Sequence, residues 1–178
     1  MLGPVLVGEK IRLEPSRTEF LPEYIRWFSD MQVTKYLLSR FPMSLEQEEE
    51  WFTNTARDRN IVHWAITADD RVIGVTGIHG IDWVSRTAIT GTIIGIPQEW
   101  GKGLATEAVS LRTDFAFREL NLQRLETESF APNKGMHKAL ERSGYRQIGT
   151  RTRSQYRDGQ WHDTVLFELL RENWEATH

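Results

Sequence analysis

From Ile61 to Ile96 the pattern of the chain turns β-rich, and this stretch most restricts what it can fold into. "IVHWAITADDRVIGVTGIHGI" supplies two runs joined at Ala68-Asp69-Asp70-Arg71, a hairpin signal, and "RTAITGTIIGI" supplies a third. Helical periodicity lies on both sides of this meander. Ahead of it, "VLVGEKIRLEP" reads as a hairpin or bent strand, with Ile11 and Leu13 alternating with Arg12 and Glu14 until Pro15. Ser16 or Thr18 then caps a helix carrying Phe20, Leu21, Tyr24, Ile25, Trp27 and Phe28, with Pro22 tolerated in its first turn. A second helix starts near Ser44, with Gln47 in the capping-box position; Glu46 to Glu50 are expected as its solvated, dipole-favoured opening.

After the meander come a glycine-bearing bend, a helix to about Leu120, a strand at "RLETESF", a helix at "NKGMHKALERSG" and a last hairpin turning at Asp158-Gly159. The order predicts an α+β fold, a single layer of sheet with helices on its faces, in one domain over residues 1–178.

Composition excludes several classes of function. Lys plus Arg total 22 against 25 Asp plus Glu, a net charge of −3 that offers no general attraction to nucleic acid. No run is long enough to span a membrane and "MLGPVLVGEK" lacks a basic leader, so no membrane partner and a cytoplasmic location are expected. The absence of cysteine removes disulfides, thiolate metal sites and thiol nucleophiles. Histidines at 63, 79, 137, 162 and 178 include no pair at the helical i, i+4 spacing, so no metal is expected.

The bend "QEWGKGLATEA", Gln98 to Ala108, joins the end of the third strand to a helix. Such a junction presents unpaired amides and the positive end of a helix dipole, a cradle for a pyrophosphate. Gly101 and Gly103 permit positive φ and close approach, Lys102 adds charge, and the Thr106 hydroxyl adds a donor. A plain strand–helix connection accounts for the glycines equally well. The bend is neither a Walker loop nor a G-x-G-x-x-G fingerprint.

Gln98-Glu99-Trp100-Gly101-Lys102-Gly103 resembles the Gln/Arg-x-x-Gly-x-Gly/Ala signature of the GCN5-related N-acetyltransferases (GNAT). With "APNKGMHKALERSGY" it is similar to the RimJ/RimL-like branch, and the likeness covers essentially the whole chain. The resemblance implies a GNAT-like fold, a mixed and mostly antiparallel central sheet with helices on both faces. It implies acetyl-CoA as cosubstrate, with the pyrophosphate on Gln98, Gly101, Lys102, Gly103 and the helix start at Leu104, Ala105 and Thr106. The pantetheine arm would run beside Ile94 to Ile96 and bond Asn133, with Gly135 allowing close approach and Met136 packing nearby. Asn133 also reads as an ordinary helix cap.

The implied reaction is direct attack of a primary amine, a protein N-terminus or a small amine, on the thioester, with a backbone amide near Ile96 meeting the oxyanion. Many branch members carry a glutamate where this chain has Ile89. A serine proposed as acid in some relatives is Met136 here, and a tyrosine of other branches is Leu140. His79, Asp82 and Glu128 are the replacement candidates for acid and base. His79 is read as lying in a turn, and pairing with an arginine is the alternative for Glu128. Acceptor specificity is expected from "YLLSRFPMS" and "SQYRDGQWHD", with Arg40, Phe41, Tyr156 and Trp161 foremost. Two other readings stay open: acetylation of an antibiotic, amino acid or polyamine, and a CoA-binding module with little or no turnover. Oligomeric state stays open, a homodimer being the assembly common among the proteins this chain resembles.

Overall fold

A computed structural model describes residues 1–177, so His178 lies outside the described residues. β1 (Leu6–Val7) and β2 (Arg12–Pro15) form the expected N-terminal hairpin. A 3-10 turn at Thr18–Phe20 leads into α1 (Leu21–Ser29), which holds Pro22 in its first turn and has no side-chain cap. Ser16 therefore caps nothing. It is 2% exposed, and its hydroxyl meets Tyr24 Oη at 3.1 Å and His63 Nδ1 at 2.9 Å.

A short α2 (Met31–Thr34) precedes α3 (Leu45–Arg57). The capping box of α3 is complete: the Gln47 amide donates to Ser44 Oγ and the Ser44 amide to Gln47 Oε1. The expectation of a wholly solvated acidic opening needs correction at one residue. Glu46, Glu49 and Glu50 are exposed, but Glu48 is 1% exposed. It stands one turn before Trp51 and Phe52 and two before Thr55, so it lies on the face that α3 presses onto the sheet.

β3 (Val62–Ala68), β4 (Arg71–Asp82) and β5 (Thr87–Ile94) make the predicted antiparallel meander. The first connection turns through Asp69 and Asp70 at φ +50° and +57°, the left-handed pair that suits a tight hairpin. β4 runs through a bulge between His79 and Asp82 and ends only at Asp82. His79 is thus a strand residue, not a turn residue as its sequence context suggests.

α4 (Leu104–Arg118), β6 (Arg124–Phe130), α5 (Lys134–Arg142), β7 (Arg146–Arg157) and β8 (Gln160–Leu170) follow as expected. The sequence reading missed the terminal α6 (Arg171–Glu175), a helix of five residues pinned by the buried Trp174. The strand order is β1-β2-β3-β4-β5-β6-β8-β7, and β5–β6 is the parallel pair in an otherwise antiparallel sheet. Helices cover both faces. Leu104, Ala108, Phe117, Leu140 and Trp174 from α4, α5 and α6 pack with Trp64, Ile73, Ile78 and Leu125 on one side. Leu21, Tyr24 and Trp27 of α1 pack with Val75 on the other.

Candidate functional site

The site begins where the parallel pair fails. β5 and β6 pair only at Thr87–Ile89 with Arg124–Glu126. Just beyond, hydroxyls replace the ladder: Thr90 Oγ1 donates to Glu126 O at 3.2 Å and Thr127 Oγ1 to Thr90 O at 2.8 Å. Farther on, no hydrogen bond joins Thr92–Ile94 to Glu128–Phe130 among the described residues, while β6 stays with β8 as far as Phe130 opposite Thr164. A split opens there. Because backbone groups alternate along a strand, Thr92 and Ile94 turn theirs toward the same side as Thr90. The Ile94 carbonyl is taken by Trp100 Nε1 at 2.8 Å, and among the described residues no acceptor meets the Ile96 amide. Ser129 on β6 is 7% exposed and its hydroxyl has no partner among the described residues.

At the mouth of the split the chain passes through a 3-10 turn at Pro97–Glu99, in which the Glu99 and Trp100 amides close on Ile96 O and Pro97 O. Gly101 and Gly103 follow at φ +78° and +87°, and Gly103 is the cap residue of α4 with no side-chain bond to the first turn. Among the described residues no acceptor meets the amides from Gly101 to Thr106. These donors, with the α4 dipole behind them, fit a diphosphate. Within the expected loop the 3-10 turn uses the Glu99 and Trp100 amides internally, so the open amides run without interruption only from Gly101. Lys102 is committed elsewhere: its Nζ lies 2.8 Å from Glu99 Oε2, with Arg71 3.9 Å from the other oxygen. Lys10, missed by sequence reasoning, reaches Lys102 O at 3.4 Å.

Asn133 caps α5 by accepting from the Met136 amide at 3.3 Å. Met136 is half-buried against the core, and a Cβ on Gly135 would come no nearer than 3.9 Å to Asn133 Oδ1, so space remains around this turn.

On the opposite face of β5 lies a cavity of about 300 Å³. Its floor includes Gly77 and Gly91, a cross-strand pair of glycines on β4 and β5. A Cβ on Gly91 would meet nothing within 4 Å, so the missing side chain is open space above the strand. The walls are Tyr24 and Phe28 from α1, Glu48 and Trp51 from α3, and Ser39 and Met43 from the segment between α2 and α3.

Burial disfavours the charged form of the ionisable groups around the cavity. His63 is pushed down to about 3 and Tyr24 up to about 12, so the Tyr24–Ser16–His63 chain carries no charge at neutral pH. His79 is lowered by burial and then by Arg112. Glu48 is raised by burial. Beneath the floor, the fully buried Arg112 of α4 donates from Nη1 to Gly91 O at 2.9 Å, Thr76 Oγ1 at 2.9 Å and Thr92 Oγ1 at 2.7 Å.

The structure separates the acid and base candidates. His79 lines the cavity, with Ile89 opposite it on β5. Asp82, the exposed last residue of β4, accepts from the Val84 and Ser85 amides at 2.8 and 2.9 Å, which lowers its carboxyl pKa and fixes the turn that follows. Glu128 is ion-paired with Arg151. His137 bonds Phe130 O at 3.1 Å and is buried, so it braces the end of β6.

Of the expected acceptor loops, the first supplies Ser39 and Met43, whereas Phe41 is 80% exposed. Tyr156 and Trp161 meet edge-on with ring centroids 5.4 Å apart and are exposed. Their hairpin contributes through Arg157, which donates to the Leu37 and Ser39 carbonyls. Glu48, Trp51, His63 and Arg112 were not singled out from sequence. The one available signal was spacing, since Glu48 sits on the face of α3 that Phe52 and Thr55 share.

A sheet split over an amide cradle, with a cavity across the same strand, has room for a phosphate-bearing carrier on one side and a second small molecule on the other. The family model of an acetyltransferase (GNAT) domain matches residues 10–146. The chain is 30% identical to the putative ribosomal N-acetyltransferase YdaF of Bacillus subtilis, over 92% of this chain and 91% of that protein. It is 25% identical to the uncharacterized N-acetyltransferase YoaA of Bacillus subtilis, over 94% and 97%. Spermidine N-acetyltransferase from Vibrio cholerae, solved in complex with CoA and spermine, shares the fold with a TM-score of 0.87 at 18% identity, over 94% of this chain and 99% of that one. The chain belongs to the GNAT acetyltransferase family and is an acetyl-CoA-dependent N-acetyltransferase.

Proposed function

We propose that the chain acetylates a primary amine that enters through the cavity above Gly77 and Gly91, and that this amine is a protein N-terminus, as in the RimJ/RimL-like branch, or a small amine. The observation that carries the reading is the position of β5, whose edge opens into the split and whose other face floors the cavity. The similarity to a putative ribosomal N-acetyltransferase supports the N-terminal acceptor. A polyamine acceptor is the second reading, favoured by the spermine complex of the Vibrio cholerae neighbour.

Bound acetyl-CoA supplies an acetyl group already activated as a thioester. The Gly101 to Thr106 amides and the α4 dipole hold its diphosphate, and Ser129 and Asn133 border the arm. The Ile96 amide is the donor available to a developing oxyanion, worth roughly 3 kcal/mol where such donors have been removed. Neutral His79 and the buried Tyr24–Ser16–His63 chain put no positive charge beside the incoming ammonium. Thiol release from acetyl-CoA, measured against short peptides, small amines and a no-acceptor control, tests the reading. Release with peptides supports an N-terminal acceptor; no release with any amine contradicts transfer.

A further inference from the structure

Glu48 is a glutamate that α3 buries without a partner. It is 1% exposed, its Oε2 is fully enclosed, and among the described residues neither oxygen has a hydrogen bond or an ion pair. A buried carboxyl group without a partner is costly, and a ligand or a catalytic role is one reason for a native protein to retain it. The side chain lines the same cavity as Gly91, so the missing partner can arrive from the cavity itself. The buried cation Arg112 already serves Gly91 O, Thr76 and Thr92 from the other side of the sheet.

The other titratable groups facing the cavity are Tyr24 from α1, His63 from β3 and His79 from β4. None carries a carboxyl group, so Glu48 is the single carboxyl among the residues that line the cavity. The remaining walls near Glu48 are apolar or aromatic: Phe28, Met43, Trp51, Val75 and Ile93. One carboxylate among rings and aliphatic chains selects an ammonium on an apolar body and gives a second ammonium no counter-charge.

Resting on the acetyltransferase reading above, we propose that Glu48 is the acceptor-binding residue and proton acceptor, and that the substrate class is a monocationic primary amine on an apolar or aromatic body. The ammonium pairs with Glu48 and gives it one proton. The freed nitrogen lone pair forms the N–C bond as the C–S bond breaks, and the second N–H proton ends on the departing thiolate. Glu48 then returns its proton to solvent. This places the base on α3, not on the strand position that Ile89 occupies. A peptide N-terminus with an apolar first residue and a free arylalkylamine share this chemistry.

The test uses Glu48→Gln and the intact protein with 2-phenylethylamine, a peptide beginning with phenylalanine, and spermidine. Binding of each amine is measured calorimetrically with CoA present and no acetyl donor; turnover is measured separately. Glu48→Gln is expected to weaken binding of the two monocationic probes and to lower their kcat/KM roughly 100-fold or more. The acid limb of the pH–rate profile is lost, the KM for acetyl-CoA is unchanged, and the melting temperature is unchanged or raised because a buried carboxyl group without a partner is gone. A preference between the peptide and phenylethylamine distinguishes the two sources. Unchanged amine binding in the variant, or spermidine binding tighter than both probes, overturns the proposal. Because binding is read without acetyl donor, Glu48-dependent binding with no turnover would count against transfer and not against Glu48.

Discussion

Histidine 63 shows how a single side chain couples packing to pH. It is 3% exposed, hydrogen-bonded through Nδ1 to Ser16 and set edge-on to Trp51 at 4.9 Å, and burial holds its pKa at about 3. The unfolded chain protonates this imidazole near 6.5 and the folded one does not until about 3. Its contribution is therefore complete above pH 6.5 and is lost as pH falls, by up to about 1.4 kcal/mol per pH unit. Urea unfolding between pH 7 and pH 4.5 should show a shallower acid loss in His63→Gln than in the parent. Parallel curves would mean that the imidazole is not held neutral. Glu48 runs the other way: with its pKa raised, the folded state favours the protonated form, and stability falls as pH rises through the folded value.

At the scale of elements, Arg112 ties α4, whose first turn belongs to the proposed phosphate cradle, to β4 and β5 under the cavity floor. The guanidinium is fully buried, its Nε has no partner among the described residues, and its pKa is lowered by desolvation. Thr76 Oγ1 also reaches Gly91 O at 3.0 Å and Thr92 Oγ1 at 2.8 Å, so the strands keep hydrogen bonds without it. Arg112→Met should therefore change stability by less than about 1 kcal/mol, and His79 should titrate at higher pH once the like charge is removed. Denaturant melts and histidine NMR titration check both. A collapse of stability, or an unmoved His79, would show that the arginine holds the strands and not the field.

Across the whole molecule, the features legible in the sequence were those written locally. The meander, its Asp69-Asp70 turn, the Ser44–Gln47 box and the glycine bend each depend on neighbours within a few positions. Features set by distant packing were not legible. Glu48 looks like its exposed neighbours until α3 meets the sheet, and Ser16 looks like a helix cap until β3 brings His63 to it. The bulge that extends β4 past His79 moved that residue from a turn into the cavity wall, while Asp82 bonds the amides that follow it and Glu128 pairs with Arg151. In the resulting account, the thioester carrier is held at the mouth of the split and the amine in the cavity, and they meet across β5.

That account depends first on bare amides binding a diphosphate. The direct measurement is a titration of the isotope-labelled protein with CoA, following each backbone amide by NMR. The account predicts that the largest shifts fall on Gly101 to Thr106, with smaller ones at Ser129 and Asn133. Saturating CoA that leaves the Gly101 to Thr106 amides unmoved while others shift would contradict it.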